Sequence, residues 1–398
     1  MAEELISGAQ VLVYVAREAT YGTARKIGGG QMNVCRTMSE TITPAEERTV
    51  RPDRSGSPDH LARFVGRKSA TFEITKLILP TGNVTAEPDD TFLWENAFGR
   101  LSLGATSFSY VMATAHNTSL TIRRGIRTGG GAGVAEYQDH LTGAIVNGLE
   151  IAWGNQGEAG LARVNFRGMA KDWGWTGNTT LSGAIATSTK ATCTVTNATQ
   201  LSPNSLFQIK QHTQGGSGFL ISAVNYTNNQ ITFTSSTLNN TFSKGDVVKA
   251  YNPTATTSGT PLHARLGFLS LNNSTAQIKH LGGRITFEDN RTLLNEEVGS
   301  QSATRAYRND RRNVTFSLEF LVKKDEMGKL FGDMHRNTAE NIQVNIGDVA
   351  NRTIKIKMKN AEWDMVAPQL SGQDMMRISM AGRALGTAGN DSLWVRFL

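Results

Sequence analysis

The chain is poor in the residues that would point to a chemistry at once. It has two cysteines in 398 residues, Cys35 and Cys193, far apart and in different segments. That excludes a disulfide framework and a cysteine-based metal site, and it suits a reducing compartment. Charged residues make up only 19%, while Gly, Ser, Thr and Asn are abundant, a mix that favours turn-rich β structure over helical bundles or disorder. No window approaches the roughly 20 apolar residues of a membrane helix, so no membrane insertion is expected. The start, Met1-Ala2-Glu3-Glu4, is acidic and leads only into a short apolar run, Val11 to Ala16. It predicts no secretory leader, and folding in a cytoplasm.

Catalytic signatures are missing too. None of the seven histidines falls in a zinc-type spacing. His140 follows Asp139, but neighbouring side chains on a strand face opposite ways, so a packed or solvated histidine is expected. Gly28-Gly29-Gly30 and Gly129-Gly130-Gly131 lack the residues of a phosphate or dinucleotide loop. Asp89-Asp90 and Glu46-Glu47 read as helix and loop carboxylates. The expectation is a protein that is not an enzyme and takes no cofactor or metal.

A net charge of +7 would suit nucleic-acid binding, but it is scattered. Its densest clusters are Arg48, Arg51 and Arg54; Arg123, Arg124 and Arg127; and Arg305, Arg308, Arg311 and Arg312. None is interleaved with stacking aromatics. Arginine loops that meet acidic neighbours across a subunit interface are the expected use.

What the chain does have is an internal repeat. Ile42-Thr43-x4-Arg48-Thr49-Val50 returns as Ile285-Thr286-x4-Arg291-Thr292-Leu293, and Arg67-x3-Thr71-Phe72 as Arg311-x3-Thr315-Phe316. Arg163-Val164-x-Phe166-x-Gly168-x-Ala170 returns as Arg377-Ile378-x-Met380-x-Gly382-x-Ala384. The order is kept and the second copy is shorter, a difference for which Gly129 to Gly133 would account in part. Val314, Phe316, Leu318, Phe320 and Val322 alternate as a half-buried strand. Ala70, Phe72, Ile74 and Ile78 do the same, broken by Lys76. A short helix follows in each copy. In the first, Asp89 and Asp90 lie at its start, Phe92, Leu93, Ala97 and Phe98 form its buried stripe, and Gly99 caps it. In the second, Asp325 and Glu326 precede Met327, Leu330, Phe331 and Met334 at helical spacing. Leu149, Ile151 and Trp153 then match Ile354, Ile356 and Met358.

Each copy therefore reads as a mainly β, antiparallel unit, an incomplete barrel or sandwich with one helix, whose edge strands need a partner. Between them lie short strands at about ten-residue spacing, through Cys193, Phe207, Ile221, Ile231 and Val247, the mark of a small all-β module. The expected domains are residues 1–182, an inserted outward-facing module at 183–255, and residues 256–398.

With the run Tyr14-Val15-Ala16-Arg17-Glu18-Ala19-Thr20-Tyr21-Gly22-Thr23, the segment Ser39 to Phe72 through Arg51-Pro52-Asp53-Arg54-Ser55-Gly56, and the helix Pro88 to Gly99, the chain resembles the major tail tube proteins of long-tailed, siphovirus-like bacteriophages. The resemblance covers most of residues 10–180 and, more weakly, 280–385. It implies β-sandwich or split-barrel domains whose sheets join around a ring. Duplicated members form trimers that supply six positions, stacked as a tube for genome ejection in the virion tail. The implied partners are other copies of the chain, tape-measure protein and viral DNA in the lumen, and tail terminator and tip proteins at the ends. The long charged segments would reach a neighbouring subunit or ring. Their contact residues are expected to be Glu46, Glu47, Arg48, Arg51, Asp53 and Arg54, with Arg291, Glu296, Glu297, Arg305 and Arg308 in the second copy. A wall that lets DNA pass should be acidic or neutral, which puts the positive charge outside or at interfaces. The exposed insert favours a tail without a contractile sheath. Alternatives are a head–tail connector or terminator, and a carbohydrate-binding fibre protein, which the sparse aromatics of the insert (Tyr226 and Tyr251) disfavour. The terminal Trp394-Val395-Arg396-Phe397-Leu398 hints at an outer-membrane barrel, against which the helices and the absent leader count.

Overall fold

Alternation of apolar and polar residues dominates the chain, and strands dominate the fold. The computed structural model describes residues 11–26, 32–50, 63–82, 87–104, 107–113, 119–126, 137–154, 160–185, 192–210, 212, 218–233, 240–252, 259–263, 267–272, 278–295, 297–298, 300–321, 332, 335–336, 339–347, 352–364, 377–387 and 390–398. The first half holds β1 (Val11–Arg17), β2 (Met32–Cys35), β3 (Ser39–Val50), β4 (Arg63–Leu77), α1 (Thr91–Phe98), β5 (Gly99–Gly104), β6 (Ser107–Met112), β7 (Leu120–Ile126), β8 (Tyr137–Gly154), β9 (Arg163–Ala170) and β10 (Asp172–Thr176). The insert holds β11 (Thr179–Thr180), β12 (Thr192–Thr194), β13 (Leu206–Ile209), β14 (Phe219–Asn225), β15 (Gln230–Phe233) and β16 (Val247–Ala250). The second half holds β17 (Phe268–Leu271), β18 (His280–Glu288), β19 (Arg291–Leu293), β20 (Ala306–Arg308), β21 (Asn313–Leu321), β22 (Glu340–Ile346), β23 (Ile354–Trp363), β24 (Arg377–Ala384) and β25 (Leu393–Phe397). The protein is mainly β and its strand pairs are antiparallel, in an open arrangement.

The repeated sequence blocks occupy repeated registers. Phe72 on β4 stands between Ile42 of β3 and Gly168 of β9. Phe316 on β21 stands between Ile285 of β18 and Gly382 of β24. A Cβ on Gly168 would collide with the Ile145 carbonyl oxygen and the Phe72 ring, and one on Gly382 with the Glu362 carbonyl oxygen and the Phe316 ring. Both sites need a glycine because backbone and an aromatic ring close over it. Gly168→Ala and Gly382→Ala should each destabilise by about 1–3 kcal/mol, the usual cost of overpacking, read as lowered midpoints in urea unfolding.

The remaining strands also run in parallel sets. Ile122 of β7 faces Leu141 of β8 just after a register shift, and Ile342 of β22 faces Met358 of β23 just after a shift. Trp173 of β10 sits opposite Leu141, and Leu393 of β25 opposite Met358. These registers correct the expected match of Leu149, Ile151 and Trp153 with Ile354, Ile356 and Met358: the structural counterpart of Ile354–Met358 is Tyr137–Leu141. The shortening of the second half falls mainly where the first has the β5–β6 hairpin, with little at the stretch Gly129 to Gly133.

Helix α1 is buried on every side but Glu95, rather than along one stripe. Trp94, which the stripe omitted, packs on Tyr110, Phe166 and Phe397. Gly99 caps the C-terminus in the left-handed region, φ 91°. Asp90 sits at the N-cap without a side-chain capping bond. Its carboxylate pairs with Lys76 at 3.0 Å, and the Phe92 N–H is capped from a distance by Asn33 Oδ1, 2.9 Å away. Of the expected second helix, Asp325 to Met334, only Gly332 is among the described residues; it is helical, and its carbonyl accepts from the Arg336 N–H at 3.1 Å.

The insert forms its own six-stranded sheet around a core including Phe207, Ile221, Ile231 and Phe233. Thr179–Thr180 already pairs with β16, so this sheet starts before residue 183. It meets the first half through Leu206 against Tyr14 and Val34 and through a buried polar seam. Arg123 donates to Asn204 O (2.9 Å) and Gln138 to Tyr251 O (3.0 Å), while His140 Nε2 donates to Pro203 O (3.1 Å). Burial pushes Arg123 down to about 9 and His140 well below the usual histidine range. His140 is thus a packed, neutral side chain.

Candidate subunit-joining site

Two strand edges of the second half are taken by the first. β18 pairs with β21 on one side and on the other with the end of β8, from Gly282↔Gly154 to Glu288↔Gly148. β25 pairs with β23 and with β6. The terminal run Leu393–Phe397 is therefore a core strand linking the halves, with Val395 and Phe397 buried.

At the end of β18, one carboxylate gathers three guanidiniums. Fully buried Asp289 pairs with Arg291 (2.7 Å), Arg308 (2.9 Å) and Arg312 (2.7 Å). The surplus positive charge is met by carbonyl dipoles of the first half. Arg291 donates to Asn96 O (2.7 Å) and Val146 O, and Arg312 to Ala113 O and Asn390 Oδ1. Burial brings Arg291 down to about 10, against the attraction of Asp289, so it stays charged at neutral pH. Over this cluster the Phe98 ring stacks on Phe287 at 5.4 Å.

Along the same seam the His280 and Trp153 rings meet edge to face, 6.0 Å between centroids, and neither His280 ring nitrogen has a hydrogen-bond partner among the described residues. Burial draws its pKa down to about 4. The unfolded chain takes up this proton first, so stability falls as pH drops from about 6.5 towards 4. The loss should reach about 2 kcal/mol at pH 5. His280→Phe should flatten that part of the pH dependence of thermal unfolding.

The corresponding region of the first half is open. Among the described residues β3 pairs on one side only, with β4. Glu46 pairs there with Arg48 at 2.6 Å and more loosely with Lys68 at 3.9 Å, and 61% of the Arg48 side chain is exposed. Beside them lies a groove of about 490 Å³, walled by Pro44, Ala45, Trp173 and Trp175 and edged by Glu46, Arg48, Lys68 and Asp172. The two tryptophan rings lie 5.1 Å apart, and the Trp173 indole N–H has no acceptor among the described residues.

The expected contact residues divide accordingly. Glu46 and Arg48 edge the groove, and Glu47 is exposed beside them. Arg51, Asp53, Arg54 and Glu296 lie outside the described residues. Arg291 and Arg308 pair within the chain with Asp289, and Arg291 also reaches the first half through Asn96 O and Val146 O. Glu297 and Arg305 are exposed on the loop between β19 and β20. Arg312 was expected only as a member of the cluster Arg305, Arg308, Arg311 and Arg312, and Asp289, Lys68, Trp173 and Trp175 were not expected. Asp289 was readable as the counterpart of Glu46 in the repeat, and Trp173-Gly174-Trp175 as an aromatic pair on one strand face.

No protein-family model matches the chain, and no curated protein does. Among solved structures it is similar to a chain of the anti-feeding prophage baseplate determined by cryo-EM with six-fold symmetrisation. The identity is 9% over 44% of this chain and 98% of that one, with a TM-score of 0.31. It is also similar to the crystal structure of an Hcp protein, at 13% identity over 42% of this chain and 90% of that one, with a TM-score of 0.22.

Proposed function

We propose that this protein is a structural subunit of a phage tail, a duplicated tube domain that polymerises through its sheet edges into stacked rings and so forms the conduit for the genome. The observation that carries the reading is the asymmetry between the halves. β18 and β25 have both edges occupied, in each case one of them by a strand of the first half, whereas β3, in the register of β18, pairs on one edge only among the described residues. A unit whose second half is completed by its first, and whose first half awaits completion, repeats head to tail. Such heterologous contacts close into a ring when the rotation fits, and closure removes the exposed edges. Three chains of two halves supply six positions. The chemistry is mechanical: the site joins subunits and transforms no substrate. The insert, packed on β1 and β2 by one side, projects outward in this arrangement, and DNA and a tape-measure protein occupy the lumen.

Negative-stain electron microscopy with light scattering at rising concentration tests this. The expected result is hollow tubes or stacked discs of uniform width, built from rings of three 43.1 kDa chains. Rings that never stack would favour a connector or terminator, and a persistent monomer would overturn the reading.

A further inference from the structure

We propose that the groove between β3, β4 and β10 is the empty counterpart of the joint already filled inside the chain, and that its occupant is the second half of another copy of this protein. Aligned on Ile42 and Ile285, on Phe72 and Phe316, and on Leu141 and Met358, the two halves place equivalent residues around equivalent spaces. Phe287 stands where Pro44 stands, Asp289 where Glu46 does, Arg291 where Arg48 does, and Arg312 where Lys68 does. On the facing strand, Leu393 and Val395 stand for Trp173 and Trp175.

In the second half this space is full. Phe98 covers Phe287, carbonyl oxygens of Asn96, Val146 and Ala113 accept from the two arginines, and Leu393 and Val395 are fully buried. In the first half the same acid–base set faces solvent. Arg48 and Lys68 have side chains 61% and 46% exposed, and both tryptophans are only partly covered. An apolar side chain laid on Pro44 and Trp173, with helix-end or loop carbonyls turned to Arg48 and Lys68, would restore every contact type of the filled joint. It would also give the Trp173 N–H an acceptor. Larger aromatic residues where the filled joint has Leu and Val suit a joint that must attract its partner from solution.

The outer edge of β3 points the same way and shows how premature pairing is restrained. On β4, the Lys68 N–H donates to Gln301 O, on the side away from β3. By strand alternation the backbone groups of Ile42 and Pro44 then face away from β4, towards the open edge. Pro44 removes a donor from that edge, a usual guard against indiscriminate strand pairing. Side chains in the groove must therefore carry much of the recognition.

This inference rests on the tube-subunit reading, and the test separates the two. A photo-crosslinking benzoylphenylalanine is placed at Ala45, an exposed position on the groove wall. Isotope-labelled and unlabelled chains are mixed, irradiated and mapped by mass spectrometry. Links between chains to peptides from residues 256–398 are expected; links to residues 1–182, or none while assembly persists, overturn the joint. In parallel, Arg48→Glu should raise the concentration needed for assembly at least tenfold with unchanged thermal unfolding of the single chain. If that variant assembles like wild type, the joint is wrong and the tube reading stands. If wild type never assembles, both fall.

Discussion

Asp289→Ala should lower the stability of the chain by about 3–5 kcal/mol, the cost of stranding buried charge when one partner of an ion pair is removed. Three guanidiniums converge on this one carboxylate, and Arg291 and Arg312 are themselves almost wholly covered, with side chains 5% and 8% exposed. Without Asp289 three positive charges would be left close together, with the carbonyl dipoles of Asn96, Val146 and Ala113 and the Asn390 amide oxygen among what still meets them. Because those carbonyls belong to the first half and the arginines to the second, the loss should appear first as loosened coupling between halves. Urea unfolding at constant ionic strength measures it: a lower midpoint, with the single transition broadening or splitting. Asp289→Leu combined with Arg291→Met should recover part of the loss, because it removes a charge together with its counter-charge. A midpoint unchanged in Asp289→Ala would mean that the remaining acceptors hold the arginines without it.

The same cluster shows what could be read from the sequence. The repeat put Arg291 beside Arg48 as expected joining residues; Arg291 lies in the seam between the halves, and Arg48 edges the groove of the first half. Which of the two is already engaged depends on how the halves dock, and no local pattern carries that. The blocks that carry Phe72 and Gly168 were legible because each is a short motif that returns in the second half with Phe316 or Gly382; that the phenylalanine meets the glycine across strands was not. The strand through Ile354, Ile356 and Met358 was misaligned for the opposite reason. Alternation repeats every two residues, so any even shift preserves it. Its true counterpart, Tyr137–Leu141, was hidden because Gln138, Asp139 and His140 are buried there against the insert or Arg124, and read as polar. Long-range cover also explains α1. The hairpin β5–β6 and strand β25 bury the face that helical periodicity assigns to solvent, so Trp94 became core.

Lys76 marks the other place where a break in pattern carried information. It interrupts the apolar alternation of β4, yet it is fully buried, with Nζ 3.0 Å from Asp90 Oδ2. Burial works against its charge, but Asp90 and the neighbouring Cys35 outweigh it and leave the pKa raised. The pair ties the sheet to the start of α1, the helix around which both halves pack. Lys76→Ala should therefore cost about 3–5 kcal/mol, since Asp90, 3% exposed, would be left as an unpaired buried carboxylate. Lys76→Met with Asp90→Asn should lie much closer to wild type, because no charge is stranded. The pH dependence distinguishes a working ion pair from mere packing. A lysine whose folded pKa is raised contributes stability that is complete below its ordinary value of 10.5 and is lost as pH climbs through the folded value. Wild type should thus lose stability in strong alkali faster than the Lys76→Met/Asp90→Asn protein, compared by thermal unfolding at pH 8 and near pH 11, conditions chosen to bracket about the ordinary lysine range. Equal alkaline losses in the two proteins would assign the burial of Lys76 to its aliphatic stem alone.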